Sequence, residues 1–206
     1  LLGAGTAVRL LTAPVAGRIG DLIKALRVVL VVCTGLAAAA TLSYLAAHDV
    51  WILLGVGLLH AAALAPITIL ADALALGSAS PPASSGRRGF EYGWVRGTGS
   101  AAFIVGTLLS GQAVGAFDLD IIIWLQALLL AMAACAGVLV PELIHDRTAD
   151  VVRSPAGGVR MLLGIAQFRN LVIVAALILG SHAMHDAFAV IRWSASGISP
   201  ATASLL

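Results

Sequence analysis

Six apolar segments constrain the fold of this chain more than any other feature, and five of them are about twenty residues or longer. A bilayer core about 30 Å thick is crossed by a helix of about that length. The segments show none of the residue-by-residue alternation that marks barrel strands. The sequence therefore predicts an all-α, polytopic membrane protein with about six transmembrane helices. Their bounds are Leu1–Ala16, Val28–Ala47, Val50–Leu76, Gly97–Ala116, Ile121–Val140 and Leu171–Trp193.

The composition excludes several classes of function. Hydrophobic residues make up 60% of the 206 residues and charged residues 11%, against about 25% charged in soluble domains. A soluble enzyme, a disordered protein and a nucleic-acid binder are thereby excluded, and a net charge of +2 implies no polyanionic partner. Cys33 and Cys135 both lie in apolar runs, so we expect neither a disulfide framework nor a metal cluster. The chain has no H-E-x-x-H, nucleophile elbow or P-loop, so we expect no enzyme and no cofactor.

Basic residues concentrate in alternate connectors between the segments. Residues 17–27, 77–96 and 141–170 hold ten of the 12 Lys and Arg residues, whereas connectors 48–49 and 117–120 hold none. Short basic loops remain on the cytoplasmic side of a membrane. We therefore expect the three basic connectors to face the cytoplasm, in a multi-pass protein of the plasma membrane, which in a bacterium is the inner membrane.

The order of spans and connectors predicts three parts. Residues 1–140 form an N-terminal bundle of five spans, residues 141–170 a cytoplasmic central linker, and residues 171–206 the start of a C-terminal bundle. The first span then runs from outside to inside, so a protein with a cytoplasmic N-terminus needs one earlier span. We expect the chain to cover about spans two to seven of a longer polypeptide. Within the linker, Val159–Phe168 has an apolar helical face and predicts a surface-lying helix.

Arg9 is an ionisable residue within an apolar segment, where it costs about 2.5–3.5 kcal/mol on insertion scales. Two interpretations remain open. Arg9 either pairs with a carboxylate on another span for assembly, or it receives the carboxylate of an organic acid, which a guanidinium grips in a bidentate fork.

Asp72 and Arg96 stand on either side of the connector 77–96. They are either a helix-end carboxylate and a loop cation, or an ion pair that lines the inner half of a cavity. His182, His185 and Asp186 share one helical face of the last segment. These three are either hydrogen-bonded packing groups or, since histidine titrates near neutral pH, a proton-carrying cluster.

Several further residues are interpreted as packing groups. His60, Gln112 and Gln126 lie singly in apolar segments, and we expect them to have structural roles. The run Ala37–Ala40 supplies small side chains, which allow helices to approach closely in lipid.

A set of short motifs, in order along nearly the whole chain, resembles the phenylpropionate permease branch of the major facilitator superfamily, relatives of the lactose permease. The motifs are Leu1-Leu2-Gly3-Ala4-Gly5 followed by Arg9, Ala25-Leu26-Arg27-Val28, Asp72-Ala73-Leu74-Ala75, Tyr92-Gly93-x-Val95-Arg96 with Gly99-Ser100, and Gly180-x-His182-Ala183 with Phe188 and Trp193. His185 and Asp186 depart from the pattern, because aromatic residues are usual there.

This resemblance implies a secondary active transporter, a proton-coupled symporter of a small organic, aromatic acid. It implies a small-molecule substrate and the proton as partners, together with the lipid bilayer, a proton gradient in place of a cofactor, and a monomer. Asp72 and Arg96 match in position the lactose permease's substrate-gripping pair. A proton symporter of a neutral sugar or nucleoside is the alternative, and a non-transporting membrane protein is a further one.

Overall fold

Seven α-helices make up the computed structural model over the described residues, which are 2–23, 25–79, 88–140, 158–199 and 202. A short 3-10 turn, Tyr44–Ala46, follows the second helix. No strand occurs within the described ranges, so the predicted all-α fold class is confirmed. The helices are α1 Leu2–Ile23, α2 Leu26–Ser43, α3 Val50–Ala79, α4 Tyr92–Ala116, α5 Ile121–Leu139, α6 Gly158–Leu163 and α7 Ala166–Ala195.

Five segments of the described residues are long and apolar enough to cross a membrane, in agreement with a polytopic protein. They include α3, α4 and α5, residues 26–46 around α2, and residues 166–183 of α7. The 22-residue α1 is not among them. It carries Arg9, Arg18 and Asp21, and charged side chains lower the hydropathy of a helix whatever its length. The membrane span within α1 therefore stays a prediction.

The helices extend further into the basic connectors than the sequence predicted. α1 continues to Ile23 through most of connector 17–27, and α4 begins at Tyr92, within connector 77–96. Long basic side chains reach water from a helical backbone, so a charge does not mark the end of a helix. The predicted surface helix Val159–Phe168 is divided at Gly164–Ile165 into α6 and α7, so that α7 begins before the expected Leu171.

Close packing around α2 forms the core of the first five helices. α2 contacts both α3 and α5, and α1 packs along α3. Ala37, Ala40 and Thr41 of α2 are 0%, 2% and 0% exposed. The packing role of the alanine run is thereby confirmed for Ala37 and Ala40, whereas Ala39 of the same run is exposed. The Thr41 hydroxyl donates to the Ala37 carbonyl at 2.8 Å, so its burial leaves no unsatisfied donor. On the facing α5, a Cβ added to Gly137 would lie 3.0 Å from Val31 Cγ2, which shows how near the helices approach.

The cytoplasmic ends expected for α2 and α5 are joined by a side chain. Arg27 Nη1 donates to the Val140 carbonyl at 3.2 Å. The last carbonyls of a helix lack intrahelical donors, and a cation there also favours the helix dipole. This contact places the start of α2 and the end of α5 on the same side of the bundle, as the predicted topology requires.

Two compact units divide the chain, Leu1–Ile144 and His145–Leu206. The first contains α1 to α5 and the second α6 and α7. The predicted linker begins near this division, and its residues 141–157 lie outside the described residues. The assignment of residues 141–170 as a cytoplasmic linker and of residues 171–206 as the start of a second bundle stays a prediction.

We predict that Ala37→Leu destabilises the protein, because the larger side chain has no space between α2 and its neighbours. Overpacking of this kind costs about 1–3 kcal/mol, and thermal unfolding in detergent measures it as a lower melting temperature. Ala39→Leu is the matched control, since Ala39 is an exposed residue of the same helix. Equal melting temperatures for the two variants would contradict the packing assigned to α2.

Candidate functional site

Asp72 near the end of α3 accepts two side-chain contacts from the first turns of α4. Tyr92 donates its hydroxyl to Asp72 Oδ1 at 2.7 Å, and Arg96 Nη1 lies 3.4 Å from Asp72 Oδ2. The structure thus brings together the two residues that the sequence placed on either side of the connector. It adds Tyr92, to which the sequence analysis gave no role.

The geometry of this cluster follows from the local fold. Phe90 N donates to the Ala79 carbonyl at 3.2 Å, so the two ends of the loop between α3 and α4 meet. Tyr92 and Arg96 are one helical turn apart and therefore share a face of α4. Their i, i+4 spacing opposite a carboxylate is the signal from which Tyr92 could have been recognised.

The exposure of the Asp72 and Arg96 side chains indicates which of the two contacts orients Asp72. The side chain of Arg96 is 61% exposed and that of Asp72 37%, and exposed ion pairs contribute little to stability. A short hydrogen bond from a hydroxyl to a carboxylate is stronger than one between neutral groups. Tyr92 therefore orients Asp72, whereas Arg96 remains able to exchange the carboxylate for another anion or for water.

Arg9, Tyr44 and His60 line a cavity of about 330 Å³ in the same unit. The apolar part of its wall comes from α3, including Leu53, Leu54 and Leu58. Arg9 also borders a wider cavity of about 1010 Å³ along α1 and α3. Among the described residues, no carboxylate lies within ion-pair distance of Arg9. The guanidinium thus faces cavity space with apolar walls.

His60 connects this cavity to α5. Its ring meets the Tyr44 ring edge to face, with centroids 5.7 Å apart and an interplanar angle of 81°. Its Nε2 lies 3.4 Å from Gln126 Nε2. The sequence treated His60 and Gln126 as separate packing groups, because no sequence signal shows that residues 66 positions apart face each other. In the structure His60 contacts Gln126 and lines the same cavity as Arg9.

The second unit contains the remaining predicted site residues. His182 is exposed on α7, and its Nδ1 lies 3.0 Å from the Ile178 carbonyl of the same helix. His185 and Asp186 belong to the same continuous helix, but their side chains lie outside the described residues. The proposed proton-carrying role of the three residues stays a prediction.

Among the described residues, no group of three His, Cys, Asp or Glu side chains could hold a metal ion. Cys33 and Cys135 are free thiols. The chemistry available in these clusters is hydrogen bonding, ion pairing and proton transfer.

We predict that Tyr92→Phe and Asp72→Ala are coupled in thermal stability. Removal of the hydroxyl destabilises the protein when Asp72 is present, but it costs nothing further once the carboxylate is gone. The four melting temperatures of a double-mutant cycle measure this coupling. The same cycle with Asp118→Ala, in the loop before α5, is the control and should be additive. Additivity in the Asp72 cycle would contradict the contact.

Comparisons with known proteins show the family of this chain. A model of the MFS_1 like family matches residues 1–206. The probable 3-phenylpropionic acid transporter of Escherichia coli (strain K12) is 33% identical over 215 residues, which cover 100% of this chain and 52% of that protein. The chain therefore spans about half the length of this curated relative, and no solved structure matches. Because the family model covers the whole chain, this protein belongs to the MFS_1 like family of the major facilitator superfamily.

Proposed function

We propose that the chain belongs to a secondary active transporter that moves a small organic acid, an aromatic acid similar to 3-phenylpropionate, together with protons. Family membership and the transporter relative support transport. The observation that carries the choice of an acid is Arg9, a guanidinium that faces an apolar-walled cavity, with no carboxylate within ion-pair distance among the described residues.

The chemistry of Arg9 favours a carboxylate ligand with an apolar body. An arginine within a membrane-spanning helix is costly, and an anion that enters its cavity offsets part of that cost. The planar guanidinium binds both oxygens of a carboxylate, while Leu53, Leu54 and Leu58 offer the apolar wall that an aromatic ring prefers.

The other polar residues receive coupling roles in this proposal. Asp72 and Arg96 form an exchangeable pair at the end of α3, and His182, His185 and Asp186 form a second group on α7 that exchanges protons. The transporter acts as a monomer in the plasma membrane, the inner membrane of a bacterium. It needs no cofactor, since a proton gradient supplies the energy.

A neutral sugar or nucleoside is the second candidate substrate. The observation that favours it is the Asp72–Arg96 contact of 3.4 Å, because a pair that neutralises itself needs no external anion. Ligand hydroxyl groups can bridge such a pair by accepting from the guanidinium and donating to the carboxylate.

We predict that substitutions of Arg9 weaken the binding of 3-phenylpropionate in the order Arg9→Gln more than Arg9→Lys. Lysine keeps the charge but loses the bidentate geometry. Loss of a charge-assisted contact of about 1.5–3 kcal/mol corresponds to roughly 10- to 150-fold weaker binding. Binding to the purified intact protein and pH-driven uptake into proteoliposomes measure the effect.

The amide of the same acid separates a binding role of Arg9 from a structural role. The affinity for the amide should change little in both variants, and Arg88→Gln, in the exposed loop before α4, should leave acid binding unchanged. Equal weakening for acid and amide would identify Arg9 as a structural residue. Uptake of a sugar or nucleoside without uptake of the acid would favour the second candidate.

We predict that the connector 77–96 faces the cytoplasm and the connector 117–120 the outside. In a variant whose Cys33 and Cys135 are replaced by alanine, a cysteine at Asp118 should react with an impermeant thiol reagent in intact cells. A cysteine at Ser84, which lies outside the described residues, should react only after the membrane is permeabilised. The opposite pattern would reverse the proposed orientation.

A further inference from the structure

The contact between His60 and Gln126 depends on the protonation state of the imidazole. An amide nitrogen carries hydrogens and no available lone pair, so Gln126 Nε2 donates and His60 Nε2 accepts across 3.4 Å. The imidazole in this arrangement is neutral, with its proton on Nδ1. When Nε2 gains a proton, the amide has to turn by half a rotation so that Gln126 Oε1 becomes the acceptor. The pair therefore has two hydrogen-bonded states that differ by one proton.

Arg9 determines what protonation of His60 costs. Both side chains line the cavity of about 330 Å³, so the guanidinium and the imidazole border the same space. A guanidinium and an imidazolium at one cavity repel each other, and the repulsion grows as water is excluded from the cavity. A carboxylate bound at Arg9 supplies the opposite charge and removes most of this repulsion.

The remaining helices packed against α3 add few charges near His60. The 3-10 turn contributes the Tyr44 ring, which contacts the imidazole, and α5 contributes the uncharged Gln126. α2 carries no charged side chain between Val28 and Ser43. The titratable group in that range is Cys33, which carries no charge at neutral pH. α4 carries no charged side chain after Arg96, which is paired with Asp72 at the end of α3. Among the described residues, Arg9 is thus the charged side chain that lines the same cavity as His60.

We propose that His60 takes up the proton that accompanies the acid: a carboxylate at Arg9 and a proton on His60 Nε2 stabilise each other, and Gln126 positions the imidazole in both states. The inference rests on the proposed function, since it requires an anionic substrate at Arg9. One proton moves from bulk water to Nε2 as one carboxylate binds, and the same proton leaves when the acid is released. By linkage, acid binding promotes proton uptake as much as protonation promotes acid binding.

Proton uptake upon acid binding tests the inference directly. A pH indicator in weakly buffered detergent solution reports the protons taken up when 3-phenylpropionate is added to the purified intact protein. Acid affinity measured from about pH 6 to about pH 8 should fall by up to about tenfold per pH unit on the alkaline side. In His60→Gln, proton uptake should be lost, and the acid affinity should vary by no more than about twofold over that range.

Two variants keep the test independent of folding defects and of other histidines. His48→Gln, in the exposed loop before α3, is the matched control and should retain both the proton uptake and the pH dependence. Gln126→Glu places a carboxylate beside His60, which favours the imidazolium, so the midpoint of the pH dependence should move to higher pH by about one unit or more. A shifted midpoint requires a folded, acid-binding protein and supports the inference even where His60→Gln does not fold.

The outcomes separate the inference from the function on which it rests. Acid binding with unchanged proton uptake in His60→Gln, or an unmoved midpoint in Gln126→Glu, overturns the role of His60 and leaves the acid transporter in place. Absence of acid binding by the unsubstituted protein, with uptake of a neutral substrate instead, overturns both. Loss of proton uptake in His60→Gln together with its retention in His48→Gln supports the inference.

Discussion

Close helix packing through small side chains is the constraint on which the rest of this structure depends. Lipid tails are as apolar as leucine, so helices within a bilayer associate through tight contact and not through the hydrophobic effect. Ala37, Ala40 and Thr41 give α2 a surface on which α3 and α5 approach closely. α3 carries His60 and Asp72, and α5 carries Gln126. The packing of small residues around α2 therefore fixes the positions from which the polar side chains of this unit meet.

α3 is the element that the two polar clusters share. His60 and Asp72 are twelve residues apart on it, which corresponds to about 18 Å along the helix axis. Pro66 lies midway between them and is fully buried. A proline inside a helix removes one backbone hydrogen bond, so the helix bends there more easily than elsewhere. The two clusters therefore lie on either side of Pro66, the position at which α3 bends most easily.

The sequence predicted the fold class and the pairing of Asp72 with Arg96. Apolar segments of membrane-spanning length leave few alternatives to helices, and Asp72 and Arg96 flank one connector, whose ends have to meet. The cluster of Arg9, His60 and Gln126 was not predicted, because its members come from three helices and the chain gives no signal of which faces meet. The ends of the helices were not predicted for a related reason, since charged residues such as Arg18 and Arg96 remain helical.

The surroundings of a charged side chain decide how strongly it interacts with other charges. Asp72 and Arg96 are both more than a third exposed, so water screens their attraction and the pair separates at little cost. Arg9 is exposed as well and His60 is half-buried, but both line a cavity whose wall on α3 is apolar. Where such a cavity excludes water, interactions between charges are about fourfold stronger than in water at an effective dielectric constant near 20. Weak attraction suits a contact that opens and closes during the proposed transport cycle. Strong interaction suits a site at which the binding of one charged group changes the protonation of another. The proposed linkage of acid and proton requires such a site.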